Sequence, residues 1–285
     1  MRWFRLLGCL ASFVLAGAWL HAPVVSTAWA SPGHAAHNAS PAADDTLATI
    51  QKHGVIRVGV ALNAPWALRD KNNQWLGLDV DLVQQLAQDM RWKIELVPTT
   101  WATAIDDLRA NRFDVLAAGL SVTPQRALLV KFSRPYGTYA LGLVVNRKAL
   151  GKDDLLTLET GSGKHSIAVL AGTVTAATAK EHLGNSDLIQ INDESQAIQD
   201  LRAGKLDGFL AEQPLPTALA HSYPDQLQML DVSTYGKTAH ALAVRRGDQD
   251  LLDVINAWLI YQDAAGWIQQ REQFWIHSPA WIELM

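Results

Sequence analysis

The sequence predicts two α/β units with a ligand cleft between them, and three observations predict it. Runs rich in Val, Ile and Leu alternate with amphipathic stretches at a spacing that implies βαβ units and a largely parallel sheet. The series breaks around Pro135-Tyr136-Gly137 and begins again near Ile167. Each series also ends a strand in a small-residue turn, Gly119-Leu120-Ser121 in the first and Ala171-Gly172-Thr173 in the second. Ligands of open parallel sheets sit at the carboxyl ends of strands, so two such turns facing each other define a pocket.

Taken in order, residues 46–53 read as a short amphipathic helix stopped by Gly54, and residues 55–61 as a strand. Asp70-Lys71-Asn72-Asn73 has the chemistry of a hairpin turn. A helix opens at Gly77-Leu78-Asp79-Val80-Asp81 and runs to about Met90 on the stripe Val80, Leu82, Val83, Leu86 and Ala87. Residues 93–98 predict a strand, 101–110 a helix and 113–118 a strand, and residues 139–147 carry the chain into a loop that lasts to Lys164. The second series is a strand at 167–170, a helix at 176–183, a strand at 188–191, a helix at 193–203, a strand at 206–211 and a helix at 214–221. One strand at 239–244 follows, and from Gln249 onward the chain reads as helical, with Trp258, Trp267 and Trp275 expected to pack it onto the core.

Arg2 and Arg5 precede an apolar run over residues 6–20, and Ala28-Trp29-Ala30 forms a small-x-small cleavage site. Residues 1–30 are therefore expected to be a secretory signal peptide and residues 31–45 a flexible tether. His21 and Pro23 interrupt the apolar run, which argues against a permanent membrane span. Cys9 is the one cysteine, placed too early for lipoprotein anchoring and lost with the leader, so neither a disulfide nor a thiolate nucleophile is expected. Without Arg2 and Arg5 the 24 basic residues become 22 against 28 acidic ones, a formal charge of −6 that argues against nucleic-acid binding.

The chemistry concentrates in Gly119-Leu120-Ser121-Val122-Thr123-Pro124-Gln125-Arg126. Thr123 is an N-cap, Pro124 suits the first helical position, and Arg126 brings a planar fork that matches a carboxylate. Gly119 leaves room for close approach to the backbone. Gly172-Thr173 opens a helix with N–H and hydroxyl donors, and Glu212 ends a strand where a carboxylate can pair an ammonium. Asp79 and Asp81 are expected to act as a helix cap and a favourable charge on the helix dipole. Gly161-Ser162-Gly163-Lys164-His165 lacks the spacing of a phosphate loop, and His165, His182, His221, His240 and His277 are scattered, as are His34 and His37 in the tether. No metal or cofactor is expected, and no nucleophile elbow is present.

These motifs resemble those of the periplasmic solute-binding proteins of polar amino-acid ABC transporters, in their type II, family 3 form, over about residues 47–277. Gly54-Val55-Ile56-Arg57-Val58-Gly59, Gly77-Leu78-Asp79-Val80-Asp81-Leu82, the segment ending in Arg126, Phe132-Ser133-Arg134-Pro135-Tyr136 and Leu170-Ala171-Gly172-Thr173 carry the likeness. The resemblance implies an α/β, two-lobed type II periplasmic binding fold, each lobe a mixed and mostly parallel sheet flanked by helices, with hinge crossovers near 137–141 and 236–239. Lobe 1 would comprise residues 46–138 and 238–285, and lobe 2 residues 139–237. It further implies a periplasmic monomer that hands a small carboxylate-bearing solute to an ABC permease. Arg126, with Ser121 and Gly119, would take the ligand carboxylate together with Thr173. Glu212 stands where family members place the aspartate that binds the ammonium. Asn63 replaces a stacking aromatic, with Trp66 close by, and Ala61-Leu62 stand where binders of basic amino acids carry an acid, so lysine and arginine are not expected. Secreted cyclohexadienyl dehydratases resemble this chain too, but their catalytic glutamate falls on Leu215, so dehydration of prephenate or arogenate would require Glu212 itself to act as the general acid. A sensor-kinase input domain is not expected, since no span or kinase follows.

Overall fold

The computed structural model describes residues 45–150, 155–161 and 165–285. The predicted leader, most of the tether, Cys9, His34, His37 and most of the 161–165 loop lie outside the described residues.

The Asp45 carboxylate caps α1 (Thr46–His53) by accepting from the N–H groups of Leu47 and Ala48, and Gly54, in the left-handed region, closes it. β1 (Val55–Val60) follows, and a hairpin of β2 (Leu68–Arg69) and β3 (Trp75–Leu76) turns over Asp70 as expected. Then come α2 (Leu78–Asp89), β4 (Lys93–Pro98), α3 (Ala104–Arg109), β5 (Val115–Leu116), α4 (Pro124–Ala127), β6 (Val130–Phe132) and the long β7 (Gly137–Asn146). The second series is α5 (Arg147–Leu150), α6 (Leu155–Thr160), β8 (Ser166–Leu170), α7 (Val174–His182), β9 (Asp187–Ile191), α8 (Glu194–Arg202), β10 (Gly208–Glu212), α9 (Leu215–Ser222) and β11 (Leu227–Leu230). β12 (Lys237–His240), β13 (Ala243–Arg245), α10 (Gln249–Ala264) and α11 (Trp267–Trp275) complete the chain before a final 3-10 turn, Ala280–Leu284.

Two mixed sheets result. In the first, of order β4-β1-β5-β13-β6, β1 runs parallel to β4 and β5 while β13 is antiparallel to β5 and β6. In the second, of order β11-β7-β10-β8-β9, β8 runs parallel to β9 and β10 and β7 is antiparallel to β10 and β11. β12 pairs with the first residues of β7, so two antiparallel strands carry the chain between the sheets in opposite directions. This is the two-lobed architecture with paired crossovers. Helices cover both sheets: α2 buries Leu78, Val80, Leu82, Val83, Leu86 and Ala87, each large aliphatic side chain contributing roughly 1.5–3 kcal/mol.

Several local expectations need correction. The strand predicted at 239–244 is two strands, because the chain leaves β7 at His240 and joins β5 and β6 from Ala243. Only Val115 and Leu116 of the run 113–118 pair as a strand, since Asp114 is held by Arg57 and the backbone then bends toward Gly119. The helix expected from Trp101 starts at Ala104, after the turn in which the Thr99 and Thr103 hydroxyls donate to Asp107. The loop expected before Lys164 contains α5 and α6, β6 and β11 are additional strands, and the terminal helix breaks at Gly266 in the left-handed region. Trp258 and Trp275 pack into the core as expected, their indole N–H groups donating to Asp89 and Asp81.

Asp79 and Asp81 do not cap α2. Gly77 holds the cap position, and Asp79, fully buried, accepts from the Gly119 N–H at 2.7 Å and the Tyr136 hydroxyl at 2.5 Å. The two acids join α2 to the loop after β5 and to α11, which are tertiary links that helix-end rules do not foresee.

Candidate ligand-binding site

The site grows from the end of β5. The chain bends at Gly119 with φ +69°, where a Cβ would lie 2.7 Å from both the Asn63 amide nitrogen and the Trp66 ring, so no side chain fits. Ser121 bridges to His240, and the Val122 N–H donates to Ala239 O, which lays the loop against the crossover strand β12. Thr123 caps α4 as predicted by accepting from Arg126 N, with Pro124 following it.

The Arg126 guanidinium then folds back to donate to Ser121 O at 2.9 Å and reaches across to Gly172 O at 3.4 Å. Its centre lies 5.7 Å from the Trp101 ring centroid. Among the described residues no carboxylate pairs with it. Burial lowers the pKa of this group, and the charge of Glu212 opposes the shift. The result is a desolvated cation with unspent donors.

Across from it, Gly172 approaches so closely that a Cβ would lie 3.2 Å from the backbone of Trp101. The Thr173 hydroxyl is committed to the protein: it donates to Leu170 O at 2.7 Å and accepts from Ala176 N as the cap of α7. What this turn offers a ligand is the leading N–H groups of the helix.

Glu212 ends β10 and is buried, not the solvated loop acid that its sequence neighbourhood also permits. Its Oε1 accepts from the Thr238 hydroxyl at 2.6 Å, from His240 Nε2 at 3.0 Å and, more distantly, from the Ser121 hydroxyl at 3.5 Å. Ser121 therefore stands between the two charges, its carbonyl on Arg126 and its hydroxyl on Glu212. His240, set aside in the sequence as one of several scattered histidines, is fully buried here, its ring 4.6 Å from that of Trp66 and 4.9 Å from that of Tyr139.

Asn63 and Trp66 lie behind Gly119. The Asn63 amide donates to Ala118 O at 3.0 Å, and Trp66, with no exposed surface, packs edge-on to Tyr139. Both brace the loop.

Glu194, at the first position of α8, is the residue that sequence reasoning missed. It is nine-tenths buried, and its Oε2 accepts the N–H of Ala64 from the other lobe at 2.6 Å. Burial pushes this carboxyl up to about 8 against the stabilising Ala64 N–H, and the neighbouring charges of Glu212 and Asp193 raise it further. Asp79 is likewise pushed up to about 6 by burial, opposed by its bonds to Gly119 and Tyr136. In sequence, Glu194 after the capping Asp193 reads as an ordinary first-turn acid. Among the described residues no group of three or more His, Cys, Asp or Glu side chains could hold a metal ion.

Two mixed sheets are thus joined by paired crossover strands, with a guanidinium that no carboxylate pairs among the described residues near the first and buried acids on the second. The chain belongs to the bacterial extracellular solute-binding proteins, family 3, whose model matches residues 56–278. It is 24% identical over 230 residues to the L-cystine-binding protein of Escherichia coli, covering 80% of this chain and 85% of that protein. It is 23% identical over 236 residues to the cyclohexadienyl dehydratase of Pseudomonas aeruginosa, covering 82% and 87%. The structure resembles that of a binding component of an ABC transporter from Wolinella succinogenes, complexed with lysine, at 28% identity and a TM-score of 0.73, over 81% of this chain and 99% of that one.

Proposed function

We propose that this protein captures an amino acid outside the cytoplasm, in the periplasm, and delivers it to the permease of an ABC importer. One observation carries the reading: Arg126 on the first lobe and Glu212 on the second are coupled through a single residue, Ser121, and together match the two charges of a zwitterion. The ligand carboxylate lies on Arg126 and on the N–H groups at the start of α7, and its ammonium lies on Glu212. Residues 46–138 and 238–285 move as one lobe and 139–237 as the other, about β7 and β12. A ligand drives closure only through contacts that differ between open and closed arrangements. Arg126 and Glu212, contributed by different lobes, supply that difference. Relatives named for L-cystine binding and a structural neighbour holding lysine support the amino-acid class.

The test is a thermal-shift screen of the mature protein against amino acids, their decarboxylated amines, their deaminated acids and dicarboxylates. A ligand present at about 1,000 times its dissociation constant adds roughly 4 kcal/mol to the folded state. An amino acid is expected to raise the melting temperature, with the matching amine and deaminated acid far weaker. Loss of this pattern, with deaminated acids as effective as amino acids, removes the role of Glu212. The dehydratase reading has less support, because Leu215, where those enzymes carry their glutamate, is a fully buried core residue. Incubation with prephenate, followed for phenylpyruvate, is expected to yield none.

A further inference from the structure

The molecule offers more acid at its site than a zwitterion uses. Glu212 accepts all of its hydrogen bonds through Oε1, and Glu194 accepts its one bond, from Ala64, through Oε2. Among the described residues, one oxygen on each nine-tenths buried carboxyl group thus has no hydrogen-bond donor, and the charge of Glu212 acts on Glu194. The charge of Glu212 also acts on Arg126, the cation of the site, while Ala64 is the neutral contact of Glu194. A bound α-carboxylate balances Arg126 and a bound α-ammonium balances Glu212, which leaves Glu194, whose proton burial retains in the unliganded site, as the acid that an incoming cation can ionise and pair. The position of Glu194 is informative as well. Its bond to Ala64 N places it against the segment that follows β1, where the first lobe itself presents only Ala61 and Leu62.

We infer that Glu194 is the specificity-determining residue of this site, and that it selects amino acids whose side chain ends in a cationic group, an ammonium or a guanidinium. The acid that the first lobe lacks after β1 is supplied from the second lobe, at the start of α8. An anionic side chain is rejected there, because it would meet the Glu212 charge and an acid that burial already keeps from ionising, with no further cation to pair it. A neutral side chain binds more weakly, because it brings no positive charge to pair with Glu194. The inference rests on the amino-acid reading above and narrows it.

Calorimetric titration of the mature protein with lysine, arginine, glutamine, methionine and glutamate, repeated on Glu194→Gln, tests it. The side-chain amide oxygen of that variant can still accept the Ala64 N–H, so the contact between lobes is kept and only the ability to ionise is lost. The parent is expected to bind lysine or arginine at least tenfold more tightly than methionine or glutamine, and glutamate weakest. In E194Q the ratio of affinity for the cationic ligand over methionine is expected to fall about 100-fold. If E194Q is poorly folded by circular dichroism, Glu194→Asp, which withdraws the charge by one methylene, is expected to lower the same ratio. A parent that prefers neutral or acidic amino acids, or a ratio that survives both substitutions, overturns the role of Glu194 and leaves the amino-acid reading standing. A parent that binds none of the five overturns both.

Discussion

Truncation of Arg126 to alanine should separate binding from stability. The guanidinium is half-buried, donates to two backbone carbonyls, Ser121 O at 2.9 Å and Gly172 O at 3.4 Å, and pairs with no carboxylate among the described residues. Its removal deletes a desolvated charge whose pKa burial already lowers, so the unliganded protein should change by about 1 kcal/mol or less in either direction. A ligand carboxylate seated there would lose its one cationic partner. Removing one member of such a buried pair costs about 3–5 kcal/mol, which is roughly two to four decades in dissociation constant. Arg126→Lys keeps the charge without the planar fork and should fall between. The assay is calorimetric titration with the best ligand of the thermal-shift screen, beside urea unfolding of the unliganded proteins. Affinity in R126A within tenfold of the parent would refute the carboxylate assignment. A stability loss of several kcal/mol in the unliganded protein would show that Arg126 is chiefly a structural clamp between the lobes.

Glu194 gives the fold an inverted acid response. Its carboxyl titrates ordinarily near 4.5 and is pushed up to about 8 when folded, so between those values the native state holds a proton that the unfolded chain has lost. Stability should fall as pH rises from about 4.5 to about 8 and then level off, by up to a few kcal/mol; Asp79, raised to about 6, adds the same sign over a lower window. Glu212 and Asp193 are the charged groups that act on Glu194, and a melting-temperature profile of E194Q should be flatter than that of the parent across this window. Trp281, fully buried in the final 3-10 turn, packs beside α11 and α9, and Trp281→Ala should destabilise by about 3–5 kcal/mol, lowering the melting temperature by roughly 10 °C.

Most regular elements are legible in the sequence because their causes are local. The strand predicted at 93–98 is β4 to the residue, the stripe of α2 is the face it buries, and Thr123 caps α4 with Pro124 at its first position, as expected. Period, caps and turn residues act over a few positions, and a single chain displays them. The cluster around Arg126 is legible for the same reason, since loop, cap and fork lie within eight consecutive residues. What only the tertiary structure decides are pairings between distant segments. Residues 239–244 divide into two strands because β7 claims one part and the first sheet the other. Asp79 becomes a buried acceptor, not a cap, because Gly119 and Tyr136 are brought to it. Glu194 and His240 enter the site across separations of 130 and 28 residues from their partners Ala64 and Glu212. Burial makes an acid at a helix start an unusual one, and burial is a property of what the rest of the chain packs around it, which no local pattern contains.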